Sequence, residues 1–86
     1  MINFNRSSRK PHVVIKLYPG RSEEQKKQLT SEIVKDVAAI AKCEQKSVSV
    51  AFEEVEPQDW VEKVYKPDIV ENKDLLYKKP EYNPLK

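Results

Sequence analysis

The strongest structural signal in the chain is the stretch Val13-Val14-Ile15-Lys16-Leu17-Tyr18-Pro19-Gly20-Arg21-Ser22. Residues 13, 15 and 17 are apolar and alternate with a second, more mixed set, and this period of two is typical of a β-strand. Gly20 is the only glycine of the chain, and it follows a proline, as is common in turns. Ser22 lies three residues before Gln25, which is the spacing of a capping box at the start of a helix. The stretch therefore predicts a strand that turns directly into a helix.

A helical pattern and a second strand follow the turn. Apolar residues from Leu29 to Ile40 recur on one face and predict a helix from about residue 22 to 41. Residues 47–53 alternate again and predict a second strand. The 28 residues 19–46 that separate the strands are too many for a hairpin and suit a helical crossover. We therefore expect an α+β fold in which a β-α-β unit holds two parallel strands.

The rest of the chain predicts short C-terminal helices and a loosely held tail. Residues 56–60 indicate a turn into a short helix at Trp60, and Lys66-Pro67-Asp68 is expected to begin another. Residues 78–86 hold two prolines and three lysines and form the tail. We interpret residues 11–86 as a single domain and residues 1–10 as an N-terminal extension.

A single β-α-β unit is incomplete as a protein. Its two-stranded parallel sheet has open edges, and the helix covers only one face, whereas parallel sheets are normally buried on both faces. A second subunit that extends the sheet edge to edge into four strands would solve both problems. The sequence thus predicts a homo-oligomer without fixing the number of subunits.

Composition argues against several classes of function. Sixteen basic and fourteen acidic side chains give a net charge of +2, which is too even for a nucleic-acid-binding surface. No apolar run approaches the 18 residues of a membrane span. Cys43 is the only cysteine, which excludes an internal disulfide. The only histidine is His12, and one cysteine with one histidine disfavour a zinc site or a cysteine hydrolase. We expect a cytoplasmic protein without a multi-cysteine metal site.

Several of these segments together resemble the 4-oxalocrotonate tautomerase family, specifically its longer, dimer-forming branch. The resemblance rests on residues 11–22, on Glu24-Gln25-Lys26, on residues 47–52, on Pro57-Gln58-Asp59-Trp60 and on Lys79-Pro80-Glu81-Tyr82. It covers residues 11 to about 82. It implies a β-α-β monomer whose sheet is shared between subunits. It also implies keto–enol isomerisation of a 2-oxo acid such as phenylpyruvate without a cofactor.

The resemblance also implies site residues. Pro11 would be the catalytic residue, because a free N-terminal proline carries a secondary amine that an apolar, cationic pocket can bring toward neutrality as a base. Arg21 would bind the substrate carboxylate through two parallel hydrogen bonds, although a solvent-facing arginine is the alternative. The second arginine of members that use diacids would fall at Ser49, and its absence favours a monoacid.

Four further residues are candidates for contact with the substrate. His12 and Lys16 would flank the mouth of a pocket lined by Pro11, and Trp60 and Phe52 would form an apolar wall. Each has an ordinary structural alternative: an exposed strand histidine, a charge on an edge strand, or a packing anchor.

The ten residues before Pro11 conflict with the implied chemistry. In the chain as it stands, the Pro11 nitrogen is a tertiary amide without basicity. One alternative is that the functional product begins at Pro11, with residues 1–10 due to a misassigned start, a cloning leader or later processing. The other is a native extension on a protein that lacks proline-dependent catalysis and binds small acids or a protein partner. In that case the basic arm, with Arg6, Arg9 and Lys10, would cover the anion site, and a disordered terminal arm is the ordinary alternative.

Overall fold

The computed structural model describes residues 10–85 and confirms the β-α-β fold. Strand β1 spans His12–Leu17, helix α1 spans Glu23–Ala41 and strand β2 spans Ser49–Glu54. A second helix, α2, spans Val61–Val70. Three short 3₁₀ turns complete the described part, at Gln45–Ser47, Pro57–Asp59 and Lys73–Leu75.

The two strands are parallel, as predicted, and their register fixes which side chains share a face. The pairs run from His12 beside Ser49 to Leu17 beside Glu54. β2 begins at Ser49 and not at Ser47, because residues 45–47 form a 3₁₀ turn. The Ser47 hydroxyl closes that turn by donating to the Glu44 carbonyl at 2.8 Å.

Helix α1 begins with the capping box that the sequence predicts. The Ser22 hydroxyl accepts from the Gln25 backbone N–H at 3.0 Å, and the Gln25 side chain accepts from the Ser22 backbone N–H at 2.9 Å. Gly20 has a φ of +124°, a backbone conformation that residues other than glycine rarely adopt. The turn before the helix therefore depends on this residue. The helix ends at Ala41, and the C-cap residue Lys42 takes the left-handed conformation with φ 62°.

Helix α2 differs from the sequence prediction. The sequence predicts that a new helix begins at Lys66-Pro67-Asp68, whereas in the structure one continuous helix runs through Pro67. It is wound as a π-helix, and the Glu71 N–H donates to the Lys66 carbonyl five residues earlier at 2.9 Å. In an α-helix the proline ring would collide with the carbonyl four residues earlier. The wider π winding accommodates that ring and keeps the helix continuous.

The described chain encloses little core. Among residues 10–85, the buried hydrophobic side chains are Ala38, Cys43, Val55, Val64 and Tyr65. Val14 on the sheet is 47% exposed and Ile40 on α1 is 79% exposed. These apolar surfaces suit a subunit that packs against a copy of itself, and the shared sheet remains a prediction. None of the helices in residues 10–85 is both long and apolar enough to cross a membrane.

Candidate functional site

A cleft opens where β1 passes into α1. Strand β1 supplies its last residues, the Gly20 turn supplies Arg21, and the start of α2 and the C-terminal tail close the other side. The cleft has a volume of about 430 Å³ and is lined by Lys16, Leu17, Tyr18, Arg21, Trp60 and Tyr82. This volume lies within the range of small-molecule sites.

Aromatic rings form one wall of the cleft. Tyr18 and Trp60 meet edge to face, with ring centroids 5.2 Å apart at an interplanar angle of 87°. The Trp60 indole Nε1–H donates to the Tyr82 hydroxyl at 3.1 Å. The Tyr82 ring also lies 5.7 Å from the ring of Tyr65, which is buried. The contacts hold the Trp60 ring between two tyrosines.

Two cations line the same cleft and differ in their surroundings. Arg21 is exposed, and no hydrogen bond or ion pair joins its guanidinium to another residue within 10–85. Lys16 Nζ lies 2.5 Å from Asp68 Oδ2 on α2. The hydrogen bond to Asp68 is the largest cause of a raised Lys16 pKa, and partial burial opposes it. Within residues 10–85, Arg21 is therefore the cation of this cleft without an ion-pair partner, while Lys16 is paired with Asp68.

Pro11 and His12 lie at the other end of β1. The Pro11 carbonyl accepts from the Ser49 N–H at 3.1 Å, and His12 Nδ1 lies 2.6 Å from the Ser49 hydroxyl. β1 has six residues, so at about 3.3 Å per residue its two ends are roughly 17 Å apart. Within one chain, Pro11 and His12 are therefore not brought to the cleft that contains Arg21.

Phe52 is also separate from the cleft. It lies beside Ile15 in the register and lines another cavity with Lys26 and Thr30 of α1. The Lys26 ammonium binds Glu54 at 2.6 Å on the same side of the sheet. Within residues 10–85, Trp60 contacts the aromatic residues Tyr18 and Tyr82, and Phe52 lies elsewhere.

Sequence reasoning did not identify Tyr18, Tyr82 or Asp68 as residues in or beside the cleft. Tyr18 comes directly after the strand pattern, and its position before the Pro19-Gly20 turn was the available signal. Tyr82 belongs to a segment that carries the family resemblance. Asp68 gave no signal, because its contact with Lys16 depends on the path of α2. Among residues 10–85, no three His, Cys, Asp or Glu side chains are grouped closely enough to hold a metal ion.

Comparisons with known proteins agree with this architecture. The family model described as "Tautomerase enzyme" matches residues 11–64, so the match begins at Pro11. Tautomerase PptA of Pectobacterium atrosepticum is 38% identical over 77 residues, which cover 85% of this chain and 97% of that protein. A Xylella fastidiosa protein named "Probable tautomerase" is 36% identical over 75 residues, covering 87% and 92%.

A solved structure is similar as well. It is the crystal structure of a candidate 4-oxalocrotonate tautomerase from methicillin-resistant Staphylococcus aureus. The TM-score is 0.54 with 38% identity, and the match covers 56% of this chain and 77% of that chain.

Proposed function

This chain belongs to the tautomerase family, and we propose that it interconverts the enol and keto forms of an aromatic 2-oxo acid of the phenylpyruvate type. The observation that carries the proposal is the pairing, in one cleft, of an aromatic wall with an arginine that has no partner within residues 10–85. Arg21 suits a single carboxylate, which a guanidinium binds through two parallel hydrogen bonds. Tyr18 and Trp60 suit a substrate ring.

Ser49 supports a monoacid. At this position the resemblance would place the second arginine of members that use diacids, and the Ser49 hydroxyl instead lies 2.6 Å from His12 Nδ1. A second carboxylate would meet no guanidinium there. His12 therefore serves, in this proposal, as a polar neighbour of Pro11.

The proposed proton transfer uses Pro11 with a free amine. The proline nitrogen takes the proton of the enol hydroxyl, and the resulting ammonium returns a proton to the substrate carbon C3, which leaves the 2-oxo acid. Arg21 holds the carboxylate and stabilises negative charge that develops on the enolate. No cofactor is required for this step. The cytoplasmic setting also remains a prediction from the sequence.

The geometry favours a site built from two subunits. Pro11 and Arg21 lie beyond opposite ends of the same strand, roughly 17 Å in length, and one small acid cannot reach both. Placing the Pro11 end of one subunit against the cleft of another would bring the base and the arginine together. We propose a homodimer with such a shared site, and the exposed Val14 lies on the sheet face that would meet a partner.

A second candidate function has its own support. In the chain as it stands, Pro11 follows Lys10 and its nitrogen is an amide. A protein that keeps residues 1–10 would bind small acids or a protein partner without proline catalysis. In this candidate function, the extension with its basic residues Arg6, Arg9 and Lys10 would cover the anion site and block access of a substrate carboxylate to it.

Ketonisation of the phenylpyruvate enol tests the two candidates. Its rate should be measured for the full chain and for a chain whose first residue is Pro11. We expect the chain that begins with proline to be at least about 100-fold faster, because a positioned acid–base group contributes about 10²–10⁴ in rate. The N-terminal mass of each preparation must be measured, so that loss of residues 1–10 is not overlooked.

Each alternative outcome has a distinct meaning. Equal activity of the two chains would show that the proline mechanism is wrong. Inactivity of both chains would remove the phenylpyruvate assignment and favour the acid-binding function.

A further inference from the structure

The C-terminal tail reaches the cleft through Tyr82. Residues 76–85 have no regular secondary structure, yet two contacts fix this ring: the hydrogen bond from Trp60 at 3.1 Å and the packing on Tyr65 at 5.7 Å. Tyr77 lies in the same segment and is fully exposed. The segment 76–85 therefore places Tyr82 at the cleft and leaves Tyr77 in solvent.

The Tyr82 hydroxyl has an unused proton. A phenol both accepts and donates hydrogen bonds. Its oxygen accepts the indole N–H of Trp60, so the phenolic proton must be donated elsewhere. Among residues 10–85 no acceptor receives it. This donor lines the cleft that also contains Arg21 and Lys16.

We propose that Tyr82 is a substrate-binding residue that determines selectivity for aromatic carboxylates. Resting on the proposed function above, the inference is that its O–H donates to the carboxylate held by Arg21. The Trp60 N–H polarises and orients the phenol, so that its proton faces the acid. The substrate ring then packs against Tyr18 and Trp60.

The charges around the cleft support this assignment. Lys16 already forms an ion pair with Asp68. In the described part of the chain, this leaves the Arg21 guanidinium without a charged partner and the Tyr82 O–H as a neutral donor on the same cleft. A carboxylate has two oxygens that accept several hydrogen bonds. One arginine and one phenol can satisfy a carboxylate without a second cation, which agrees with a monoacid substrate.

The chain contains its own reporter for a binding test. Trp60 is the only tryptophan, and it contacts both Tyr18 and Tyr82 in the cleft. Its fluorescence should therefore report occupancy of the cleft without any turnover. The probe is 3-phenylpropionate, an aromatic acid that has no 2-oxo group and cannot tautomerise.

The experiment compares the wild-type full chain with Tyr82→Phe and with the matched control Tyr77→Phe. We expect Tyr82→Phe to raise the dissociation constant of 3-phenylpropionate about tenfold, since the variant loses a hydrogen bond to a charged group. Tyr77→Phe should leave it unchanged. The neutral analogue 3-phenyl-1-propanol should bind the wild type and Tyr82→Phe equally, because the ring of residue 82 is retained.

Three results would overturn the inference. The first is equal affinity of the wild type and Tyr82→Phe for the acid. The second is an equal loss of affinity for the acid and the alcohol, which would assign Tyr82 to packing alone. The third is the absence of saturable quenching both in the full chain and in the chain that begins at Pro11. Acid binding that depends on Tyr82 in a chain without ketonisation activity would instead remove the proposed function and leave the binding site in place.

Discussion

The two ends of strand β1 carry different chemistry. At the His12 end, Pro11 and His12 are tied to Ser49 of β2 by hydrogen bonds of 3.1 and 2.6 Å. At the Leu17 end, the cleft combines Arg21, which has no partner among the described residues 10–85, with an edge-to-face pair of aromatic rings. The first end holds the candidate base, and the second holds the groups that would bind an aromatic acid.

This difference shows why a single chain does not form the proposed site. A strand of six residues is rigid and roughly 17 Å long, so no side-chain movement brings its two ends to one small molecule. In the proposal, a second copy would cover the open sheet and would also complete the site. One association would satisfy both requirements.

Mixing two inactive variants tests this separation most strongly. In chains that begin at residue 11, Pro11→Ala and Arg21→Ala should each lose most ketonisation activity. Refolded together in equal amounts, they should recover about one quarter of the wild-type rate, because half of the dimers are mixed and half of the mixed sites are intact.

The controls for the mixing experiment are the two variants refolded separately. They should stay inactive at the same total concentration, and size-exclusion chromatography should show the same dimer in each sample. No recovery on mixing, in dimers shown to exchange subunits, would place both residues of a site in one chain and contradict the shared site.

Arg21 alone should affect substrate binding by a smaller factor. Arg21→Ala should raise KM or the dissociation constant of an aromatic acid by about 10- to 100-fold, the usual cost of losing hydrogen bonds to a charged group. Its free energy of unfolding should change by less than about 0.5 kcal/mol, because the guanidinium has no partner among residues 10–85.

A matched variant separates this effect from net charge. Lys27→Ala removes the same unit of charge from an exposed position of α1 outside the cleft. It should leave the affinity for the acid unchanged. An equal effect of both variants would mean that Arg21 acts only through long-range electrostatics.

The sequence predicts best those parts of the structure that depend on residues close together in the chain. The strand, the capped helix and the parallel pairing follow from local patterns, such as the capping box at Ser22 and the turn at Gly20. Arg21 lies in the same local turn, and it is a candidate carboxylate ligand because of the family resemblance. The path of α2 does not follow from a local pattern, because Pro67 gives a strong signal to end an α-helix and no signal for π winding.

The composition of the cleft depends on long-range contacts that no local pattern encodes. Asp68 meets Lys16 across 52 positions, and Tyr82 meets Trp60 across 22. Phe52 was paired with Trp60 in the prediction because both are large and apolar. The register places Phe52 beside Ile15, on the side of the sheet that faces Lys26. Alternation within a strand defines two faces without saying what covers each.

The smallest expected effect concerns the balance of charge at the cleft. Asp68→Asn removes the carboxylate that pairs with Lys16 while keeping a similar shape. The freed ammonium adds positive charge near Arg21, so we expect an aromatic acid to bind about two- to fivefold more tightly, as for a partly screened charge near a protein surface. Glu62→Gln is the control, because it breaks the exposed Lys66–Glu62 pair on the same helix and should not change acid binding.

The same variant has a defined pH dependence in stability. The pair is partly exposed, so its loss should lower the free energy of unfolding by about 0.2–1 kcal/mol at neutral pH. Asp68 raises the Lys16 pKa above its ordinary value of 10.5. The contribution is therefore fully present below pH 10.5 and is lost as the pH rises through the raised pKa. Urea unfolding of the wild type and Asp68→Asn at pH 8 and above pH 10.5 should show a difference that shrinks at the higher pH. A difference that grows with pH would show that Asp68 stabilises α2 through a contact other than the Lys16 ion pair.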